Sequence, residues 1–241
     1  MAIKYSIIVI VLFVFFSCHN IKIQEANTTS QSKITATKLI IQPLKTDSTI
    51  IHKDSVVILG DFYKAIYKSD DFLYVTNSQG DTIVKESYLH PNFEFDDFNN
   101  DNLKDIRIHY MGNGAAVQNL LLFDKYKKTF ILVKDFSNFP DPLPIKGTKY
   151  YYSYHRSGCA DMNWGSDLFY IDNYKTICIG NVTGYMCDEK DEKYGIYIYK
   201  IIAKKEVFIK KLPISTLGKY KDWKWGFIKE YWNTNFMKFT E

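Results

Sequence analysis

Histidine and cysteine are scarce in this chain of 241 residues, five and four in number. His90, His109 and His155 lack a metal-ligand spacing such as H-x-x-x-H. A zinc ribbon or an iron–sulfur protein is thereby excluded. Net charge is only +4, which rules out a polycation built to coat nucleic acid, so no nucleic-acid partner is expected. There is no phosphate-cradling Gly loop and no G-x-S-x-G nucleophile elbow. His155, Ser157 and Asp161 crowd one loop too tightly for triad geometry, and no enzyme is expected. Long helical apolar stripes are missing as well. The nearest candidate, Gly226 to Phe239, follows Trp223, Trp225 and Phe227 in strand-like alternation.

What the chain does have is aromatic: 19 Tyr and 17 Phe against 12 Gly and 6 Pro. Such residues suit pleated, half-buried surfaces, so the composition leans towards sheet. The N-terminus sets the compartment. Ile7 to Phe16 is a run of ten apolar residues, about 15 Å as a helix and half of a bilayer core. It reads as the apolar region of a signal peptide spanning residues 1–17, not as a membrane span. Phe15-Phe16-Ser17-Cys18 resembles a bacterial lipobox, with Cys18 as the lipidated first residue. Residues 18–48 then form a polar tether, and 49–241 a single β-rich domain. The expected location is the bacterial cell envelope, lipid-anchored, with the membrane reached through the lipid.

Three cysteines remain after Cys18, an odd number in an oxidising compartment. Sequence leaves their connectivity open. The pairing expected is Cys159–Cys187, with Cys178 a buried thiol in a strand.

The body reads as hairpins. Phe72–Val75 faces Thr82–Val84, and Leu120–Phe123 faces Phe130–Val133. Leu168–Ile171 faces Thr176–Ile179, and Ile196–Tyr199 faces Val207–Ile209. The turns at Asn77, Asp124 and Asp172 follow one another by 47 and 48 residues. Repeats of that length suggest propeller blades of four strands. The expected fold is all-β, propeller-like from about residue 50 onward, with an irregular β-sandwich as the alternative.

The sharpest motif is Asp97-Phe98-Asn99-Asn100-Asp101-Asn102-Leu103-Lys104-Asp105. Asp97, Asn99, Asp101 and Asp105 supply oxygens at positions 1, 3, 5 and 9, and Leu103 offers its carbonyl at position 7. Calcium takes six to eight such hard oxygens. Asn102, at position 6, suits the left-handed backbone required there. Residue 108 is Ile where an EF-hand has Glu, and the flanks are strands, so the loop is not an EF-hand. A structural calcium ion is expected.

This loop, followed by Asn119–Asp124 and Thr129-Phe130, resembles the calcium loops and hairpins of FG-GAP/VCBS-type repeat proteins. More narrowly it is similar to the XAC2610-related family, with Met111–Ala116 in the place of the family's Gly-rich stretch. The resemblance implies a secreted or lipidated, calcium-binding, propeller-like protein, and as partner a lysozyme-like secreted enzyme or toxin that it inhibits. Asn102 departs from the family Gly. The segment from Tyr150 to Asp167 is dense in polar and aromatic residues. Its His155, Arg156, Ser157 and Gly158 are the candidate partner-binding residues, cationic donors suited to an acidic cleft. The bland alternative is a structured connector with Trp164 in the core. A second functional reading is a structural or adhesive envelope lipoprotein whose exposed aromatics contact glycan.

Overall fold

The computed structural model describes residues 48–88, 91–110 and 117–240. The signal peptide, Cys18, the tether up to residue 47, His90 and the stretch 111–116 lie outside the described residues. The first sheet is an antiparallel meander of β1 (Ile50–Ile58), β2 (Asp61–Lys68), β3 (Phe72–Thr76) and β4 (Thr82–Ser87). The second repeats that order with β5 (Pro91–Asp96), β6 (Asp105–Tyr110), β7 (Gln118–Asp124) and β8 (Thr129–Leu132). The third contains β9 (Leu143–Pro144), β10 (Tyr150–Tyr152), β11 (His155–Arg156) and β12 (Trp164–Asp172). It continues through β13 (Lys175–Tyr185), β14 (Gly195–Ile202) and β15 (Lys205–Leu212). An α-helix, α1 (Trp223–Asn235), follows, between short 3-10 turns at Ile214–Lys219 and Phe236–Phe239.

All four expected hairpins form in register: Val75 faces Val84, Phe123 faces Phe130, Tyr170 faces Ile177, and Tyr199 faces Phe208. Two of their turns are closed by local side chains. The Asn77 carboxamide oxygen accepts the amides of Gln79 and Asp81 at 3.1 and 2.9 Å. Asp124 takes those of Tyr126 and Lys127 at 2.9 and 3.0 Å. The turns at Asp124 and Asp172 also meet across space, because the Tyr174 hydroxyl donates to Asp124 Oδ2 at 3.0 Å.

The sheets stack face to face. Tyr63, Ala65 and Tyr67 of β2, with Leu73 and Val75 of β3, pack on Ile106, Ile108, Leu121 and Phe123. The opposite face of the second sheet presents Leu120 and Leu122 to Tyr151 and Phe169 of the third. A strand buried on both faces needs an unbroken apolar run, and Leu120-Leu121-Leu122-Phe123 is one. The far face of the third sheet carries Trp164, Leu168, Val182, Ile196 and Ile198, which α1 covers with Phe227, Ile228, Tyr231 and Trp232. The Trp232 indole donates to Ser166 Oγ at 2.8 Å, tying helix to sheet.

Two expectations change. The described chain is mostly β, in keeping with the all-β class, but 223–235 is helical where the sequence shows no long apolar stripe. The alternation of Trp223, Trp225 and Phe227 mimics a strand, whereas the buried positions 224, 227, 228, 231 and 232 keep helical spacing. The blade-like meanders are present, but among the described residues they form three stacked sheets, with no closed ring.

Candidate partner-binding loop and acidic loop

The segment between β11 and β12 is held in an unusual backbone conformation. Gly158 sits at φ +94°, and Cys159, Ala160 and Asp161 follow with φ of 53°, 48° and 74°. Left-handed conformations cost an L-residue about 1–2 kcal/mol each, so three in a row persist only when neighbours over-determine them. The determinants are visible. Cys159 is bonded to Cys187, a crosslink spanning 28 residues of sequence, as the sequence led us to expect. The Ser157 amide donates to the Asn163 carbonyl at 2.8 Å, and the Met186 amide to Asn163 Oδ1 at 2.9 Å. Beneath the loop lies Lys224, 4% exposed. Its ammonium donates to the Asp161 carbonyl at 2.7 Å and to Asp161 Oδ2 at 2.9 Å. The Tyr154 hydroxyl donates to Asp161 Oδ1, and Arg156 Nε lies 3.6 Å from the same carboxylate.

These contacts set the charge on Asp161. Burial pushes its pKa up, but the Lys224 ammonium, the Tyr154 hydroxyl and the Arg156 guanidinium outweigh it and hold the carboxyl below the usual range. Burial, and then the bond to Asp161, pushes the Tyr154 phenol well above the usual tyrosine range. The loop's outer surface shows Arg156, Ser157, Gly158 and Met162 to solvent, beside the half-exposed Trp223 and Trp225 at the start of α1. Lys224 joins the two parts, its Nζ lying 5.1 Å from the Trp225 ring and 5.4 Å from that of Tyr154.

The four candidate residues are not one group. His155 and Arg156 are neighbours on a strand, so their side chains leave opposite faces. His155 Nε2 lies 3.3 Å from Asp167 Oδ2, and Gly165 opposite leaves room for the imidazole, since a Cβ there would fall 2.3 Å from it. Only Arg156, Ser157 and Gly158 stay with the loop. The sequence reading missed Lys224, Trp223 and Trp225. Nothing in the sequence around Lys224 marks the burial it acquires, and the strand-like alternation of Trp223 and Trp225 concealed the helix that carries it. Trp164 is fully buried, as the connector reading required. Cys178 is free and half-buried, and burial pushes its thiol up to about 12.

The acidic loop joins β5 to β6. Asp97 takes the Asp101 amide on Oδ1 and the Asn102 amide on Oδ2, both at 3.0 Å. Asp101 Oδ1 accepts the Leu103 amide at 2.8 Å, and its Oδ2 accepts Asn99 Nδ2 at 2.9 Å. Asn100 and Asn102 have φ of 58° and 67°, the left-handed backbone expected at position 6. Asp105 turns inward, fully buried, with Phe98 and Phe123 amides at 3.1 and 2.9 Å on its two oxygens. Burial pushes its carboxyl up to about 7, and the Asp101 and Asp97 charges add to the rise. Oxygen donors of this kind suit a hard cation. Their arrangement is a set of turn hydrogen bonds, and no group of three or more His, Cys, Asp or Glu among the described residues is placed to hold a metal.

No protein-family model matches the chain, and no curated protein matches it. Among solved structures it is similar to one described as the structure of a Xanthomonas type IV secretion system related protein. The TM-score is 0.45 at 14% identity, over 68% of this chain and 98% of that one. A likeness this distant leaves the site to be argued from the chain's own residues.

Proposed function

We propose that this chain is a binding protein of the bacterial envelope, lipidated at Cys18, which inhibits a secreted lysozyme-like enzyme and has no catalytic activity of its own. The observation that carries the reading is the clamped loop: a disulfide, a buried ammonium and three consecutive left-handed residues hold Arg156, Ser157 and Gly158 outward. A segment already in its bound conformation loses little entropy on docking, which is how rigid inhibitor loops reach high affinity. Arg, Met and Trp, the residue types around the tip, are those enriched at protein interfaces. Arg156 also suits a cleft with two catalytic carboxylates.

The test is inhibition of a panel of lysozyme-type muramidases by the full-length chain in detergent. We expect at least one to be inhibited, and Ser157→Trp, at the exposed tip, to abolish the effect without lowering the melting temperature. Equal inhibition by the variant removes the loop from the mechanism, and no inhibited enzyme across the panel removes the inhibitor reading.

The same proposal assigns the acidic loop to structural calcium, with Asp97, Asn99, Asp101 and the Leu103 carbonyl as the groups that would hold it. Asp105 completes the expected set, although its oxygens already serve two buried amides. Calcium is expected to raise the melting temperature, and Asp101→Ala to remove most of that rise. An unchanged rise in the variant eliminates the site.

A further inference from the structure

The third sheet has a face that the second sheet covers only in part. Register places His155, Gly165, Thr183, Tyr197 and Lys211 in one row across β11 to β15. The next row is Asp167, Asn181, Tyr199 and Phe208. Gly165, which the His155 ring covers, is the one buried position in these two rows, whereas Phe169, farther along the same face, is fully buried against the second sheet.

This open face has two halves. One is polar and already ordered. The Thr183 hydroxyl donates to Asn181 Oδ1 at 2.7 Å, and Asn181 Nδ2 donates to Asp167 Oδ1 at 2.7 Å. The other half is aromatic. Tyr185 packs on Tyr197 at 5.7 Å and Tyr199 on Phe208 at 5.8 Å, and the rings of Tyr197 and Tyr199 lie within 10° of parallel. Asp167 and Asn181 also line a cleft of about 700 Å3, within the size range of small-ligand sites. Isoleucines 177, 179 and 201 give it an apolar wall. Its carboxylates, Asp135, Asp167 and Glu206, are matched in number by Lys175, Lys200 and Lys204.

We propose that this face and its cleft bind an uncharged oligosaccharide. A pyranose ring presents C–H bonds on its faces and hydroxyls around its rim. Tyrosine and phenylalanine rings take the first, and amide, hydroxyl and carboxylate groups fixed by one another take the second. The balanced charge of the cleft offers no net field to an anionic or cationic ligand. An acyl chain has no use for the polar row. The site is separate from the clamped loop and stands whether or not that loop inhibits an enzyme.

The experiment is calorimetric titration of the full-length chain in detergent with four probes: the N-acetylglucosamine tetramer, cellotetraose, maltotetraose and, as the anionic control, tetragalacturonate. At least one neutral tetrasaccharide is expected to bind, and to bind about tenfold more weakly to Phe208→Ala and to Asn181→Ala. Phe208 is 56% exposed, so its removal leaves the melting temperature in place and separates lost binding from lost folding. Three results overturn the proposal. They are no neutral probe binding below about 10 mM, tighter binding of the anionic probe than of every neutral one, or wild-type affinity in both variants.

Discussion

Replacing Asp161 with Asn leaves the Lys224 ammonium 4% exposed and deprives it of a carboxylate at 2.9 Å. Removing one member of a buried ion pair costs about 3–5 kcal/mol. Two features of the site reduce that figure. The Asp161 carbonyl still accepts from Lys224 at 2.7 Å, and the Asp161 side chain is 21% exposed. The expected cost is therefore on the order of 2–3 kcal/mol, or about 4–12 °C in melting temperature for a chain of this size. Lys224→Met removes the charge but keeps an apolar side chain of similar length, and Asp161 retains Tyr154 and Arg156. That variant should lose only about 1 kcal/mol, and the double variant little more, a coupling of about 1–2 kcal/mol. Denaturant unfolding of all four proteins measures the cycle. Additive costs, or a loss below about 0.5 kcal/mol in Asp161→Asn, would refute the clamp. The same pair sets an acid limit. The folded pKa of Asp161 is depressed, so its contribution is present above the unfolded value of about 4 and is lost as pH falls through the lower folded value. Wild type should weaken in that acid window, and Asp161→Asn should lack this part of the slope.

Two further outcomes follow from the same geometry. Opening the Cys159–Cys187 crosslink, as the double serine variant or with a reductant, frees a loop of 28 residues' separation. Loop-closure entropy puts the loss at about 3.5 kcal/mol, read as a drop in unfolding free energy, and no drop would mean the loop holds without it. Gly184→Ala and Gly165→Ala form a matched pair, since each added Cβ would fall 2.3 Å from a ring, Trp164 in one case and His155 in the other. Trp164 is fully buried and cannot give way, so Gly184→Ala should cost on the order of 1–3 kcal/mol. His155 is one-third exposed and can swing out, so Gly165→Ala should cost less, and equal melting temperatures would contradict this account.

Much of the scaffold could be read locally. Hairpins declare themselves through adjacent residues: Asn77 with Gly80, and Asp124 with Lys127, bring their own turn chemistry, and register follows from the turn. The 47- and 48-residue spacing marked the repeated meander for the same reason. The clamp could not be read in this way. Lys224 and Asp161 are 63 residues apart, and nothing near either position signals a partner. The open face was hidden for a related reason. Tyr197 and Tyr199 alternate with Ile196 and Ile198 as in any two-faced strand, and sequence does not say which face a neighbouring sheet will cover.

By itself, then, the sequence determined the hairpin strands, their turns and the left-handed position at Asn102, while the pairing of Cys159 with Cys187 was left for the structure to decide. The strands, turns and Asn102 position depend on interactions within a few residues. Tertiary structure alone decided that three meanders stack without closing, that residues 223–235 form a helix, and that His155 and Arg156 part company. It also decided that a lysine is buried beneath the loop. Each of these outcomes turns on which surfaces meet, and burial of an apolar face or a charge depends on the partner brought against it and not on the residue's own neighbours in the chain.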